Sequence, residues 1–158
     1  MKRAMSEQEM NCLAALLKDF DAGQVYAVLV GLEQNFDAEQ MEQIRNGLEQ
    51  GLDVSIYADP KYSKHQMDEI RKGLKKGLDV SIYADPKYNY QQMEQIRFGL
   101  EKDLDASIYA DPKYSRDQMR QILVGLEQGL DVSIYADPQY DWRQMREIRT
   151  GLEFGVDA

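Results

Sequence analysis

Two series of aspartates are the residues of this sequence whose type and spacing come nearest to a chemical pattern. Asp53, Asp79, Asp105 and Asp131 form one; Asp59, Asp85, Asp111 and Asp137 form the other, and within each the interval is 26 residues. Carboxylates repeated at a fixed interval could hold Ca²⁺ along a stack of equivalent turns. The six-residue gap inside each pair, however, lacks the D-x-D-x-D-G density of a calcium loop. The surrounding residues point to a structural role. Each first aspartate stands just before a short apolar run, as a helix N-cap does. Each second one precedes Pro60, Pro86, Pro112 or Pro138, as in a turn. Arg45, Arg71, Arg97 and Arg149 keep the same interval, with Leu123 in the remaining place. That series reads as a ladder of ion pairs with the aspartates rather than as an anion site.

The other reactive side chains are isolated. His65 is the single histidine. It falls in a first helical turn, with no Cys, Ser or second His placed to make a catalytic set, and reads as a surface residue. Cys12 has no partner for a disulfide. It sits among apolar residues and reads as inert or half-buried. Phosphate loops, nucleotide fingerprints and zinc spacings do not occur. The expectation is a protein that is not an enzyme, with no catalytic residue, no cofactor and no metal.

The elements that carry these residues repeat. Leu52, Leu78, Leu104 and Leu130 open four copies of one unit, and Val156 begins a fifth. Met41, Met67, Met93, Met119 and Met145 share the spacing, as do Gly47, Gly73, Gly99, Gly125 and Gly151. A period in this range marks a solenoid, in which each unit buries its apolar side on its neighbours. Within a unit, Met67, Ile70 and Leu74 form one helical stripe. Ser63 with Gln66, Asn89 with Gln92, Ser115 with Gln118 and Asp141 with Gln144 are capping pairs at the helix starts. Gly51, Gly77 and Gly129, with Asn35 and Asp103, stand where the helices should end in a left-handed turn. An interior glycine costs a helix about 1 kcal/mol relative to alanine. Gly73, Gly99 and Gly125 are therefore expected to accept a neighbouring backbone or tyrosine ring at close range.

Ahead of the repeats, the spacing predicts three helices: Glu7 to Lys18, Ala22 to Gln34 and Ala38 to Gln50. Ser6 and Glu9 make a capping box for the first. The second is apolar almost all round, from Val25 to Leu32, and reads as the buried centre of a cap. A helix-turn-helix DNA reader is disfavoured, because the third helix offers Arg45 alone among Glu39, Glu42 and Glu49.

The segment Leu78 to Lys87 decides the fold class. Leu78, Val80, Ile82 and Ala84 alternate with polar residues, as in a strand. A short helix capped by Asp79 and ended by Pro86 is the favoured reading, because it follows the grammar of every other helix here. The expected fold is all-α: a right-handed α-solenoid of helix plus short-helix repeats with an N-terminal three-helix cap. The alternative is an α/β solenoid of the leucine-rich-repeat kind. One domain over 1–158 is expected, with the cap at 1–50 and the repeats at 51–158.

The run Gly-Leu-Asp-Val-Ser-Ile-Tyr-Ala-Asp-Pro, followed by Gln-Met and Ile-Arg-x-Gly-Leu, resembles tandem repeats in uncharacterised proteins of Gram-positive gut bacteria, some of which accompany mobile genetic elements. The resemblance spans roughly Asp37 to Ala158 and implies the repeat fold. It implies no activity. Leu123 departs from the pattern.

The net charge is -9. That opposes binding to a phosphate backbone or an anionic membrane. No apolar run approaches the ~20 residues of a membrane span. Met1, Lys2 and Arg3 look like the start of a signal peptide, but Ser6 to Glu9 interrupt it. A cytoplasmic protein is expected, bound to neither nucleic acid nor membrane. Its function is read as that of a non-enzymatic interaction or scaffold module with an unknown protein partner. The alternatives are a self-associating structural or regulatory domain, or an enzyme with a site formed across repeats. The surface expected to make the contact starts from Asn46, Lys72, Phe98, Val124 and Thr150, which lie opposite the buried stripe. Phe98 and Val124 should form an apolar patch, Leu123 should extend it at the edge, and Phe154 should mark its far end.

Overall fold

The computed structural model describes residues 6–19, 25 and 36–155. Among them are six α-helices and no strand. The helices are α1 (Glu7–Leu17), α2 (Ala38–Glu49), α3 (Lys64–Lys75), α4 (Tyr90–Glu101), α5 (Arg116–Glu127) and α6 (Trp142–Glu153). Four short 3-10 helices alternate with them: η1 (Val54–Ile56), η2 (Val80–Ile82), η3 (Ala106–Ile108) and η4 (Val132–Ile134). The helix expected over 22–34, and with it the three-helix cap, lies outside the described residues apart from Val25. Contacts divide the chain into two compact units, Met1–Gly77 and Leu78–Ala158.

Each α-helix begins with a reciprocal capping box. The pairs are Ser6 with Glu9, Asp37 with Gln40, Ser63 with Gln66, Asn89 with Gln92, Ser115 with Gln118, and Asp141 with Gln144. Two of the four unpaired N-terminal amides are satisfied in each case. At the other end Gly51, Gly77, Gly129 and Gly155 adopt φ near +70°, and Asp103 takes the same role at φ 55°. Aspartate is among the few non-glycine residues that enter this region at small cost.

The segment that alternates like a strand is helical because its aspartate caps it. Asp79 accepts a hydrogen bond from the Ser81 amide at 3.1 Å, and the Ser81 hydroxyl donates to the same carboxylate oxygen at 2.5 Å. Asp53, Asp105 and Asp131 cap their own turns in the same way. The second aspartate series accepts from the amide two residues on, at 2.9 Å for Asp59, Asp85, Asp111 and Asp137 alike. Both series are thus engaged with their own backbone. Among the described residues the ion pairs of the arginine series are not with these aspartates but within their own helices: Arg71 with Asp68, Arg97 with Glu101 and Arg149 with Glu153.

The turns η1, η3 and η4 each dock on the helix before them through two contacts. In the first unit the Tyr57 hydroxyl donates to the Gln43 carbonyl at 2.7 Å, and Gln40 Nε2 donates to the carbonyls of Pro60 and Tyr62 at 3.2 and 2.7 Å. In the second unit Tyr109 donates to Gln95 O and Tyr135 to Gln121 O, at 2.8 and 2.7 Å. Gln92 and Gln118 there bond the carbonyls of Pro112 and Tyr114, and of Pro138 and Tyr140. The tyrosine ring lies against the interior glycine of the helix: a Cβ at Gly47, Gly99 or Gly125 would fall 2.0, 2.1 or 1.9 Å from the tyrosine oxygen. The close approach expected from sequence is thus present at Gly99 and Gly125. Around these docks Met67, Ile70, Met93, Ile96, Met119 and Ile122 are fully enclosed. Removing such a side chain costs about 2–5 kcal/mol. Helices α2 and α3 pack together in the first unit; α4, α5 and α6 pack in sequence in the second.

Candidate interaction face

The internal repeat separates two kinds of position. Gln, Met, Ile and Gly return at the same places in every long helix and make the docks described above. Other places change from helix to helix. Ala38, Lys64, Tyr90, Arg116 and Trp142 form one such series; Glu42, Asp68, Glu94, Arg120 and Arg146 form another; Asn46, Lys72, Phe98, Val124 and Thr150 form the third. Residues four apart on a helix lie on one side of it, so the three series share a face.

In the first unit this face is polar. Glu39, Glu42, Gln43, Lys64, His65 and Asp68 line a shallow depression between α2 and α3. Lys64 pairs with Glu39 at 2.8 Å, and Lys72 with Asp68 and Glu69 at 2.8 and 3.0 Å. Burial works against a charge on Asp68, but hydrogen bonds from Lys72 and Arg71 outweigh it and hold the carboxyl below its ordinary value. His65 is exposed, as expected. Cys12 is exposed too, rather than half-buried. It lies on α1, most of whose described residues face outward.

In the second unit the face changes character. Phe98 of α4 meets Leu123 and Val124 of α5, and with Lys102, Arg120 and Glu127 they line a groove of about 310 Å³. Phe98 and Val124 are half-buried, and the Arg97 guanidinium stacks 4.7 Å from the Phe98 ring centre. Lys102 and Glu127 close one rim as an ion pair at 2.8 Å. Arg120 is exposed and has no ion-pair partner among the described residues. Next to it Arg116, Asp117, Arg120, Gln121 and Trp142 line a second groove of about 300 Å³. The Trp142 ring lies under two guanidinium groups, Arg143 at 4.8 Å and Arg146 at 5.3 Å.

Three of the four residues expected to form an apolar surface therefore come together. Leu123 needs a correction: it is 2 % exposed and forms the floor of the groove, not its edge. Phe154 needs another. It caps the end of α6, is 76 % exposed and does not line the groove with the other three.

Leu123 has a consequence that the sequence pattern could have exposed. At two places where the series has arginine, Arg71 and Arg149, the side chain reaches back 28 residues to a glutamine of the preceding helix. Arg71 donates to Gln43 Oε1 at 3.0 Å and to Gln50 Oε1 at 3.0 Å; Arg149 donates to Gln121 Oε1 at 3.1 Å and to Gln128 Oε1 at 3.2 Å. The corresponding glutamine below Leu123 is Gln95. Its Oε1 is buried with no hydrogen-bond partner. An orphaned buried acceptor costs about 1–3 kcal/mol. The basic and aromatic cluster at Trp142 has its own sequence signal, the change from Lys64 through Tyr90 and Arg116 to Trp142.

The buried tyrosine hydroxyls of Tyr57, Tyr109 and Tyr135 are pushed up by burial and donate to main-chain carbonyls. Among the described residues no three His, Cys, Asp or Glu side chains gather as a metal site. No helix of the described residues is long and apolar enough to cross a membrane. No protein family, curated protein or solved structure matches the chain.

Proposed function

We propose that the chain is a non-enzymatic protein-interaction module, a right-handed α-solenoid with a helical N-terminal cap whose variable helix face contacts its partner. Its likeness to the tandem repeats of Gram-positive gut bacteria, and a cytoplasmic setting, belong to this reading. The observation that carries it is Leu123. An arginine there would bond Gln95; leucine leaves that acceptor unpaired and turns the groove beside Phe98 and Val124 apolar. Buried unpaired groups are few in folded proteins, and a persistent one calls for a reason outside stability. A groove with an apolar floor and a charged rim is the anatomy of a protein contact. With a net charge of -9, the chain repels a nucleic-acid backbone more than a protein surface.

The test uses two variants. Leu123→Arg combined with Lys102→Gln rebuilds the arginine–glutamine set of the neighbouring helices. It should raise the unfolding midpoint and weaken partner binding. Phe98→Lys combined with Val124→Lys should leave the circular dichroism spectrum intact and remove binding. Binding is read by co-purification from the native cell, with light scattering to detect self-association. If both variants retain the partner and the oligomeric state of the parent, this face is not the contact.

A further inference from the structure

The groove at Trp142 has a counterpart in the first unit, and the two carry opposite charge. The depression between α2 and α3 lies at the same place in the repeat as the groove between α5 and α6. Glu42 stands there where Arg120 stands in the second unit, Asp68 where Arg146 stands, and Lys64 where Trp142 stands. Glu42 and Arg120 are both exposed, and neither has an ion-pair partner among the described residues. Lys64 is taken up by Glu39, and Asp68 by Arg71 and Lys72. In the second unit Arg116 pairs with Asp117 at 3.1 Å and Arg146 with Glu147 at 3.7 Å. Arg143 is exposed, stacks on the Trp142 ring and has no ion-pair partner among the described residues. Each groove thus keeps an uncompensated charge, negative at Glu42 and positive at Arg120 and Arg143. The exposure does not depend on α6 being the last helix described. Asp117 and Arg120, at the places of Arg143 and Arg146, are exposed on α5, which packs against both α4 and α6.

A surface that fits the basic groove is therefore present on the chain itself. Complementary patches of this kind fix which surfaces meet and in what register. The net charge of -9 repels a second copy at long range, but salt screens that repulsion beyond about 10 Å, while charges in contact still attract. We propose that the Trp142 groove of one copy receives the Glu39–Glu42 face of the first unit of a second copy. The glutamates meet the guanidinium groups of Arg116, Arg120 and Arg143. The Trp142 ring, with Arg143 and Arg146 stacked on it, adds the apolar area that exposed ion pairs lack. The two surfaces differ, so the contact is heterologous, and any association above the monomer satisfies it. It is made without Phe98, Leu123 or Val124 and stands whether or not they bind a partner.

The experiment exchanges the charges on the full chain. Arg116→Glu with Arg143→Glu turns the Trp142 groove acidic, and Glu39→Arg with Glu42→Arg turns the α2 face basic. All four side chains are exposed, so circular dichroism should match the parent. Arg120 is left in place because it also lines the Phe98 groove. A small polar interface binds weakly, and the parent should associate with a dissociation constant of about 10–100 μM, read by sedimentation velocity. Each double variant alone should stay monomeric at several times that concentration. An equimolar mixture of the two should associate again, because each then meets the opposite charge. Overall charge cannot produce that rescue, since both variants remain net acidic. The single changes Arg143→Glu and Glu42→Arg should each weaken association by about 2–10-fold. Emission from Trp142, the only tryptophan, should shift to the blue when the parent associates, as the ring loses water. The proposal is overturned if the parent is monomeric at several times the expected constant, if either double variant associates as the parent does, or if the mixture stays monomeric. Association lost in Phe98→Lys with Val124→Lys but kept in both charge variants would assign the contact to the other groove and also overturn it. So would a foreign acidic protein held by a monomeric parent and released by Arg116→Glu with Arg143→Glu.

Discussion

Gly125→Ala and Gly151→Ala are the same substitution at equivalent positions, and the structure assigns them opposite signs. The new Cβ at Gly125 would lie 1.9 Å from Tyr135 Oη and 2.8 Å from Val132 Cγ1. Comfortable carbon contacts are about 3.5–4.0 Å. The ring cannot swing clear, because Tyr135 is fully enclosed and its hydroxyl is tied to Gln121 O at 2.7 Å. Over-packing of this kind costs about 1–3 kcal/mol. Breaking the tyrosine hydrogen bond adds about 1 kcal/mol. Alanine returns about 1 kcal/mol through its higher helix propensity. Gly125→Ala should therefore be destabilised by about 1–3 kcal/mol. At Gly151 the clash is absent and only the propensity remains, so Gly151→Ala should gain about 1 kcal/mol. At about 2–4 °C per kcal/mol for a chain of this size, the first should melt roughly 3–10 °C lower and the second a few degrees higher. Thermal melts by far-UV circular dichroism, paired with urea midpoints, measure both. If Gly125→Ala also melts higher, the ring yields freely and the close approach does not hold the turn.

Two other perturbations follow from the same docks. Gln118→Met keeps the volume but leaves the Pro138 and Tyr140 carbonyls and the Ser115 amide without the side chain they bond; it should cost about 2–4 kcal/mol, read as a lower urea midpoint at unchanged slope. Alkali should also loosen the fold. Burial pushes the Tyr135 hydroxyl up to about 12, against the opposing pull of Arg149, and raises Tyr57 and Tyr109 as well. The folded chain therefore keeps protons that the unfolded chain releases above a tyrosine's ordinary value near 10. This contribution is full below pH 10 and is lost as pH rises through about 12. Tyr135→Phe should flatten the fall of the urea midpoint over that window, and an unchanged slope would mean that Tyr135 is not responsible.

The frame was legible because its signals are local. Capping pairs three residues apart, a glycine after the last turn and a 26-residue return each need only neighbouring residues to be recognised. The 3-10 turn was harder. Leu78, Val80, Ile82 and Ala84 alternate like a strand, and only the bond from Ser81 to Asp79 decides for helix. The arginines were misassigned for the opposite reason. Aspartates at a matching interval are partners on paper, but each is already engaged by an amide two residues away. Arg71 instead reaches Gln43 and Gln50, 28 and 21 residues back, and neutral glutamines carry no charge signal to suggest it. Without that pairing, Leu123 reads from sequence as an edge residue. Once Arg71 and Arg149 are seen to bond glutamines of the preceding helix, residue 123 must lie between α4 and α5, where it is buried. Phe154 was placed by helix periodicity that stops one residue too soon, since it is the C-cap and has left the helical register.

The residues that hold the frame and the residues that vary on the surface are different in this chain, and that division bears on how the surface can change. The docks are demanding: a tyrosine tip within about 2 Å of a possible Cβ excludes any side chain at Gly47, Gly99 or Gly125, and the glutamine amides must meet two carbonyls each. Change there costs about 1–4 kcal/mol, a sizeable part of the 5–15 kcal/mol that holds a domain. The outer positions carry no such load. Lys72, Phe98, Val124 and Thr150 replace one another on helices with the same caps and the same core, so the face can pass from polar to apolar without rebuilding the frame. Leu123 is the exception that links the two sets. It belongs to the arginine series that ties helix to helix, yet it contributes to the groove, and Gln95 is left unpaired as a result. A face that merely covered the core would gain from arginine at that position. Leucine there instead leaves an apolar groove beside Phe98 and Val124, and that exchange is the observation on which the proposed contact surface rests.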